Sequence, residues 1–392
     1  MKVAGGKVNT VVLGAVAEFI NGAAFKPEDW SDDGKRIIRI QNLNDSEKSY
    51  NRTSRPVSEK LHVQPGDILV SWSASLGVFI WSGPDVAVLN QHIFRVVPDF
   101  EMIEKSYLRH QLIGALADMQ QHLHGATMLH VNRGDFLATK IPLPPLPEQR
   151  RIAQILDKAE ALRAKRRAVL AKLDTLAQSI FLEMFGDPVT NPKGWSETSV
   201  LEDVASIASG VTKGRSLEGK VTRVVPYLAV ANVQDKSLNL AGIKSIEATE
   251  DEISRYHLEI DDLLLTEGGD PDKLGRGTLW NGEIAECIHQ NHIFRVRIAS
   301  KKIQPVFLNW LIGSKRGKQY FLRSAKQTTG IASINMTQLK AFPLLLPPLT
   351  LQQAFARRVE AIESLKAAHR ASLAKLDALF ASLQHRAFRG EL

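Results

Sequence analysis

The chain contains two copies of one sequence plan. The tetrapeptide Ala-Lys-Leu-Asp at residues 171–174 recurs at 374–377, and Leu-Pro-Pro-Leu at 143–146 recurs at 346–349, both 203 positions later. An internal repeat of this length builds two similar folded bodies joined by similar connecting segments. We therefore expect a function that uses two related sites held at a fixed distance.

The offset between the copies changes along the chain. It is 190 between residues 40–43 and 230–233, 195 between 67–71 and 262–266, and 200 between 92–96 and 292–296. From Asn132 and Asn335 to the end of the repeat it stays at 203. Loops inside the bodies thus differ in length while the last part of each copy does not, which predicts two different targets at one spacing.

Composition limits the classes of protein that fit. The 392 residues are 44% hydrophobic, enough for two cores, and no apolar stretch approaches the ~20 residues of a membrane helix. The first residues lack the features of a secretory signal, and Cys287 is the only cysteine, so we expect a soluble, cytoplasmic protein without an internal disulfide or a cysteine-based zinc site. The net charge of +8 favours a polyanionic partner such as nucleic acid.

Both bodies are predicted to be α+β with a strongly twisted sheet, for which a barrel is one option. In the first body, strands are predicted at residues 68–70, 78–81, 86–88 and 93–97, followed by a helix. That helix places Tyr107, Leu108, Leu112, Leu116, Met119 and Leu123 on one face. The second body repeats this plan with strands at 263–265, 278–280 and 293–296, then one helix carrying Phe307, Leu308, Leu311, Tyr320 and Leu322.

A long helix follows a proline-rich stop at residues 141–147, and again at 342–349. Residues 148–185 contain no proline or glycine, and apolar side chains recur at steps of three and four, as in a coiled coil of about five heptads. The predicted seam positions are Ile152, Ile155, Ala159, Leu162, Arg166, Val169, Leu173, Leu176, Ile180 and Met184, and in the second copy Phe355, Val359, Ile362, Lys366, His369, Leu373, Leu376, Phe380, Leu383 and Ala387.

Two such helices in one chain are expected to pair antiparallel if the two copies are related by a two-fold axis. This gives two bodies, at residues 1–146 and 186–349, and two spacer helices, at 147–185 and 350–392. Arg166 and His369 are equivalent in the repeat and interrupt both seams, so they are candidates for a polar layer that sets the helix register. The alternative is that both side chains extend to solvent.

A search for catalytic motifs finds none that is complete. Residues 313–319 resemble a phosphate loop but have one residue too few between the glycines, with Gln319 where Ser or Thr is required. The sequence has no methyltransferase tetrapeptide and no glycine-rich cofactor motif, so methyl transfer would need a partner. His92 and His292 are equivalent but lie among apolar residues, and we expect structural packing rather than a metal site.

Polar loops at equivalent places carry different side chains, as base reading requires. Ordinary divergence of surface loops is the alternative. The candidate DNA-reading residues of the first copy are Asn42, Ser73, Ser75, Asn90, Gln91, His124, Asn132 and Arg133; those of the second are Asn232, Glu267, Asp270, Lys273, Gln290, Asn291, Gln327, Thr328 and Asn335. The candidate phosphate contacts, which position the duplex without specifying its sequence, are Arg52, Arg55, Lys213, Arg215 and Arg276.

Nearly the whole chain resembles the specificity (S) subunits of type I restriction-modification systems. The resemblance rests on residues 141–149 entering a long helix, Met-Phe-Gly-Asp-Pro at 184–188 leaving it, Asn-Pro-Lys-Gly-Trp at 191–195, and Ala-Phe-Arg-Gly-Glu-Leu at 387–392. The second copy departs from it with Thr-Leu-Gln-Gln at 350–353 where the first has Pro-Glu-Gln-Arg at 147–150, so partner contacts need not be equivalent.

This resemblance implies two target recognition domains, each reading one half of a bipartite duplex sequence across an unread spacer. The helices would set the spacer and dock two methyltransferase subunits, and a motor-nuclease restriction subunit would join that complex. The chain itself would be non-catalytic and without a cofactor or metal of its own. Adenosylmethionine, ATP and magnesium would belong to the partner subunits.

Two other classes remain open on the residues alone. One is a coiled-coil scaffold whose bodies bind proteins or sugars, and the other is a self-sufficient restriction or modification enzyme. Salt-dependent binding to random duplex separates a DNA-binding protein from a scaffold. Methyl incorporation by the chain alone would identify an enzyme, and we expect none.

Overall fold

The computed structural model describes residues 9–45, 47–122, 132–270, 274–328 and 331–392. The chain divides into two compact units. Unit 1 contains the residues up to Ala168 together with Arg370–Leu392, and unit 2 is Val169–His369. Each unit therefore combines one body with part of both long helices, whereas the sequence predicts a separate segment for each helix.

Unit 1 contains ten strands in its described part. They are β1 (Thr10–Val12), β2 (Ala17–Asn21), β3 (Lys35–Ile38), β4 (Arg52–Thr53), β5 (His62–Val63), β6 (Ile68–Ser71), β7 (Gly77–Ile80), β8 (Ala87–Leu89), β9 (Ile93–Pro98) and β10 (Lys140–Pro142). One sheet has the order β2-β9-β6-β7 and is antiparallel, a second has the order β4-β3-β8-β5 with β3 and β8 parallel, and β1 pairs with β10. The helices that begin in this unit are α1 (Ile40–Asn44), α2 (Lys105–His122), α3 (Arg133–Leu137) and α4 (Leu146–Phe185).

Strand β6 separates two apolar cores. Ile68 and Val70 face a core that includes α2 and the start of α4, and Leu69 faces a smaller core around Trp81. Because successive strand residues point to opposite faces, a strand covered on both sides is apolar throughout. This explains the uninterrupted run that marked this strand in the sequence.

Unit 2 repeats the plan with twelve described strands. They are β11 (Ala205–Ser209), β12 (Arg223–Leu228), β13 (Val233–Gln234), β14 (Ser237–Leu238), β15 (Lys244–Ala248), β16 (Leu263–Thr266), β17 (Gly268–Gly269), β18 (Gly277–Leu279), β19 (Ile288–His289), β20 (Ile293–Ile298), β21 (Lys326–Thr328) and β22 (Ile331–Ser333). The sheet β11-β20-β16-β18 corresponds to β2-β9-β6-β7 of unit 1, and β15-β12-β19 forms the second sheet. Two small sheets, β17-β22-β21 and β13-β14, complete the described strands.

The helices that begin in unit 2 are α5 (Glu250–Tyr256), α6 (Pro305–Ile312), α7 (Lys315–Ser324), α8 (Met336–Lys340) and α9 (Leu349–Phe388). The single helix predicted to carry Phe307 through Leu322 is therefore two helices. The break lies at Gly313, which is the C-cap of α6, and Ser314, which precedes α7. The remaining prediction of class, two repeated α+β bodies with long helices, is confirmed.

The long helices α4 and α9 run antiparallel within each unit. In unit 1, Ile152 and Leu156 of α4 share a core with Phe380 and Ala387 of α9. In unit 2, Phe181 and Phe185 of α4 each pack edge-to-face against Phe355 of α9, with ring centroids 5.5 and 5.4 Å apart. Early residues of α4 thus meet late residues of α9, and late residues of α4 meet early ones.

The buried stripe of α4 differs from the predicted seam. Leu162 and Leu176, which the seam placed inside, are exposed, while Leu156, Ala177 and Phe181 are buried. The α9 counterparts of the exposed pair, Leu365 and Leu379, were outside the predicted seam and are also exposed. The sequence could not separate the two stripes because both are apolar at helical spacing, and the bodies decide which one is covered.

Equivalent ion pairs join the two helices in the two units. In unit 1, the Arg163 guanidinium of α4 lies 2.6 Å from the Asp377 carboxylate of α9. In unit 2, the Lys366 ammonium of α9 lies 2.7 Å from the Asp174 carboxylate of α4. Arg163 and Lys366 are 203 residues apart, as are Asp174 and Asp377, so the repeat places the same bond in both units.

Among the described helices, none has the combination of length and hydropathy needed to cross a bilayer.

Candidate nucleic-acid interface

In unit 1, one aromatic cluster brings three of the predicted reading segments together. Trp72, directly before the candidate Ser73, lies edge-on to His92 at 5.0 Å and stacks on Phe94 at 5.5 Å. The guanidinium of Arg133, at the start of α3, lies 5.6 Å above the same Phe94 ring and donates to the Phe19 carbonyl. The loop after β6, the turn before β9 and the start of α3 therefore form one surface.

The loop after β6 has a defined shape. The Ser71 hydroxyl donates to the Ser75 carbonyl at 2.5 Å, and the Ser75 hydroxyl donates to Asn44 Oδ1 at 3.3 Å. Ala74 between them adopts a left-handed backbone conformation, with φ of 61°. A non-glycine residue held in this region is typical of a loop shaped by its surroundings.

The turn before β9 is held mainly through its backbone. The Asn90 and Gln91 amides donate to the carbonyls of Ile38 and Ala23, which leaves both side chains outside the sheet hydrogen bonds. Asn90 Oδ1 is buried and has no hydrogen-bond partner among the described residues. Asn132 is exposed and caps α3 by accepting from the Gly134 amide at 2.7 Å.

In unit 2, Glu267 occupies the place of Trp72. Its carboxylate lies 2.5 Å from Nδ1 of His292, the counterpart of His92. Its amide donates to the His292 carbonyl, and its own carbonyl accepts from the Ile334 amide. Glu267 thus joins the turn before β20 to the segment that leads into α8.

The other candidates of unit 2 lie on segments connected to Glu267. Strand β17 follows it directly and pairs with β22, which pairs with β21, the strand that contains Gln327 and Thr328. Gln290 and Asn291 are half-buried in the turn before β20, and Asp270 is exposed after β17. Asn335 is the counterpart of Asn132 and likewise caps its helix, accepting from the Gln338 amide at 2.9 Å.

The two units therefore present different chemistry on equivalent backbone. The Trp72 amide donates to the His92 carbonyl as the Glu267 amide donates to that of His292. One unit offers an indole packed on a half-buried histidine, and the other a carboxylate bonded to a histidine whose side chain is 56% exposed. The expected packing role for both histidines fits His92, but His292 is at the surface. The signal missed in the sequence is that both residues precede a strand rather than lie within it.

Asn42 and Asn232 have a structural role in their own units. Asn42 is buried and donates to the Lys48 and Ser49 carbonyls while accepting from the Arg39 amide. Asn232 is buried and makes the equivalent bonds to the Asn239 carbonyl and the Ala229 amide. These bonds occupy both ends of each carboxamide and favour loop support over base reading.

Most of the basic candidates bind protein groups. The Arg52 guanidinium donates to the Gly34 carbonyl at 2.8 Å, and Arg55 donates to the Asp29 carboxylate at 3.1 Å. Arg276 donates to Gln234 Oε1 at 3.2 Å. These arginines thus form hydrogen bonds inside the two bodies. The side chain of Arg55 is also partly exposed to solvent.

Arg215 forms a two-bond ion pair with Glu252. The bond from Arg215 lowers the pKa of Glu252 to about 2, and the carboxylate in turn raises the pKa of the guanidinium. Lys213, two residues earlier, is exposed. Of these two, Lys213 is the better placed for a phosphate.

The roles predicted for His124, Lys273, Arg166 and His369 remain predictions. His124 and Lys273 lie outside the described residues. Arg166 and His369, the proposed polar layer, are both half-buried. The equivalent ion pairs of Arg163 and Lys366 lie one turn earlier on each helix and are a second polar feature of the same seam.

One group of side chains in unit 1 has donors suited to a metal ion. His110 of α2 and the carboxylates of Asp157 and Glu160 on α4 place one ligand atom each within 4.8 Å of one another. Arg109 forms ion pairs with both carboxylates, and Ser106 donates to Asp157 at 2.6 Å. With their charge already compensated by arginine, the two carboxylates act as a bridge between α2 and α4, and we assign the group a structural role.

Comparison with known proteins identifies one family. The family described as type I restriction modification DNA specificity domain matches the chain twice, over residues 6–172 and 192–378. The type I restriction enzyme EcoBI specificity subunit of Escherichia coli is 26% identical over 419 residues, which covers 97% of this chain and 85% of that protein. The StySPI specificity subunit of Salmonella potsdam is 24% identical and covers 98% of this chain and 89% of that protein.

Solved structures agree in fold. The crystal structure of the S subunit of a type I restriction-modification system from M. genitalium has a TM-score of 0.58 at 14% identity, covering 99% of this chain and 98% of that one. A second chain, from a study of assembly and conformational transition of the type I system, has a TM-score of 0.54 at 18% identity and covers 100% of both chains. The family matches include a body and long-helix residues in each copy, and they span most of the sequence; the chain therefore belongs to the type I restriction-modification DNA specificity family.

Proposed function

We propose that this chain reads a bipartite duplex target, with each unit reading one half and the long helices fixing the distance between the halves. Membership of the family gives this chain the general role of a specificity subunit, which is the non-catalytic DNA-recognition component of a restriction-modification complex. The net charge of +8 suits a polyanionic partner.

The equivalent positions of Trp72 and Glu267 are the main support for this proposal. Both residues donate their amide to an equivalent histidine carbonyl, yet one side chain is an indole and the other a carboxylate. A carboxylate accepts a hydrogen bond from a cytosine amino group, whereas an indole suits apolar contact. Equal backbone with unlike side chains is what two readers of different half-sites require.

The outer faces of α4 and α9 supply a candidate docking surface for the partner subunits. Leu162 and Leu379 are exposed in unit 1, and their repeat counterparts Leu365 and Leu176 are exposed in unit 2. Exposure of the same large apolar side chains in both copies supports a contact surface that is present once in each unit. We propose that each unit docks one methyltransferase subunit here, and that a restriction subunit joins the resulting complex.

Adenosylmethionine, ATP and magnesium belong, in this proposal, to the methyltransferase and restriction subunits. The candidate residues of this chain are proposed to bind and position DNA.

Selection from random duplexes by the full chain tests the proposal. We expect recovery of two short constant sequences separated by a constant length of unread sequence, and an affinity for duplex that falls steeply as salt rises. Recovery of one uninterrupted sequence would contradict two readers. Binding that is absent, or insensitive to salt, would favour the scaffold alternative, and methyl incorporation by the chain alone would favour the enzyme.

A further inference from the structure

We propose that two buried glutamines, Gln149 and Gln352, are the positioning residues that fix the direction of each long helix and thereby the spacer length that the chain accepts. This inference rests on the proposed reading of a bipartite target. The two residues are 203 positions apart and so occupy the same place in the two copies. Their relative exposures are 1% and 0%.

Gln149 connects α4 to the body of unit 1. Its Oε1 accepts from the Glu104 amide, just before α2, at 2.8 Å. Its Nε2 donates to the Met102 carbonyl at 3.0 Å and to the Pro144 carbonyl, in the proline-rich segment, at 2.8 Å. One carboxamide thus joins the first turns of α4, the segment that precedes it and the loop that leads into α2.

Gln352 makes the same three connections in unit 2. Its Oε1 accepts from the Gln304 amide, just before α6, at 2.9 Å. Its Nε2 donates to the Lys302 carbonyl at 3.1 Å and to the Pro347 carbonyl at 2.8 Å. The surrounding sequence differs, since the first copy has Pro-Glu-Gln-Arg at 147–150 and the second has Thr-Leu-Gln-Gln at 350–353. The glutamine is nevertheless the same, and it bonds to backbone groups at equivalent places in the two copies.

A buried polar side chain is tolerated only when its hydrogen bonds are made, so these bonds specify one arrangement of helix and body. Pro144 and Pro347, whose carbonyls accept from the two glutamines, have no amide hydrogen of their own to donate. The glutamine carboxamide binds carbonyls of both the proline-rich segment and the body. In this proposal, the carboxamide therefore determines the angle between each long helix and the body that precedes it.

Length makes this angle important. Each of α4 and α9 has 40 residues, which at ~1.5 Å per residue is roughly 60 Å. A change of about 5° at the start of such a helix moves its far end by about 5 Å. One base pair of B-form duplex rises about 3.4 Å and turns by about 35°, so an error of this size spans more than one base pair of spacer.

The test measures spacer preference rather than affinity alone. The full chain is offered duplexes that carry both of its selected half-sites, with the spacer at the preferred length or one base pair shorter or longer. Wild type is expected to prefer its own spacer by at least about tenfold. Gln149→Glu and Gln352→Glu, which keep the side-chain length but cannot donate to the two carbonyls, are expected to reduce this preference to less than about threefold while the sequence preference within each half-site is unchanged.

Exposed neighbours provide matched controls. Gln154 on α4 and Gln353 on α9 are exposed, so Gln154→Glu and Gln353→Glu add the same charge to the same helices without touching the carboxamide bonds. Both controls should keep the wild-type spacer preference. If a Glu variant does not fold, Gln149→Met or Gln352→Met removes the hydrogen bonds with similar side-chain volume and is measured in its place.

The outcomes separate the two proposals. Glutamine variants that keep the wild-type preference, or that lose affinity equally for all three spacers, overturn the positioning role. A wild-type chain that shows no preference between spacers overturns the bipartite reading as well, and this is visible before any variant is made.

Discussion

At the scale of single residues, equivalent positions in the two units have often diverged in chemistry while keeping their place. His289 in β19 of unit 2 corresponds to Leu89 in β8 of unit 1, at the offset of 200. His289 is fully buried, and its Nδ1 lies 3.0 Å from the Ile293 carbonyl. Burial lowers the pKa of His289 to about 4.

This burial predicts an acid-sensitive unit 2. Because the folded pKa is below the ordinary value of 6.5, the unfolded chain binds the proton more readily, and stability present above pH 6.5 is lost as pH falls toward about 4. The loss is at most about 1.4 kcal/mol per pH unit. His289→Leu, which installs the residue of unit 1, should remove it.

Hydrogen exchange of unit 2 amides between pH 7 and pH 4 measures the effect, since the two units need not unfold together. His385→Leu, at an exposed position on α9, is the control and should retain the wild-type pH dependence. Equal pH dependence in wild type and His289→Leu would show that this histidine does not determine acid sensitivity.

Glu267 is expected to specify one base pair of one half-site. Glu267→Gln replaces an acceptor by a group that can also donate, and should change the preferred base at one position and weaken binding to the original target by about 10- to 100-fold. The other half of the target should be unaffected. Duplex selection with the variant checks this, and Glu218→Gln, at an exposed site, is the control.

If Glu267→Gln altered both halves, or neither, the assignment of one half-site to unit 2 would be wrong.

Several of the predicted reading loops lie close together in the structure, whereas the roles of individual side chains depend on contacts that the sequence does not show. Ser73, Asn90 and Arg133 were predicted from separate segments, and the cluster around Trp72 and Phe94 brings those segments together. In the sequence, Asn42 and Asn232 could not be distinguished from base-reading residues. A polar residue at matched positions of a repeat can support a buried loop as well as read a base. Only the hydrogen bonds made on folding separate the two cases.

At the scale of secondary structure, the long helices were predictable because proline-rich segments precede both and neither proline nor glycine interrupts the predicted stretch at 148–185. The face that these helices bury could not be predicted from the sequence. Leu156 and Phe181 are buried because both the bodies and α9 pack against that side of α4. Leu162 lies on the other side and is exposed. The break between α6 and α7 was missed because Gly313 lies within an otherwise helical pattern.

The ion pair between Arg163 and Asp377 is expected to specify the antiparallel register within unit 1. Both side chains are partly exposed, so Arg163→Asp or Asp377→Arg alone should lower the free energy of unfolding by about 1 kcal/mol or more, because each creates a like-charge contact. The double variant, which exchanges the charges, should recover only part of that loss, because Asp377 also pairs with Arg167 and Arg163 also lies over the Phe380 ring. Thermal unfolding of the four proteins measures the coupling.

Losses that simply add in the double variant would mean that the pair does not couple. Leucine at both Arg166 and His369 tests the other proposed polar layer, and unchanged helix pairing and assembly would exclude a register role for those two residues.

At the scale of the whole molecule, the internal repeat predicted the architecture before any single residue did. The constant offset of 203 over the last part of each copy covers the helix caps Asn132 and Asn335, the glutamines Gln149 and Gln352, and the ion-pair residues Asp174 and Asp377. The elements to which we assign the distance between half-sites keep one offset, and the loops to which we assign sequence preference do not. This division is what a reader of two unlike half-sites at one spacing requires.

Mapping methylated bases in the genome of a cell that carries the complete restriction-modification system shows whether this chain reads two half-sites or one. Two readers at a fixed distance predict one modified target made of two short, unlike sequences separated by an unread spacer of constant length. A modified target that consists of a single uninterrupted sequence would contradict it.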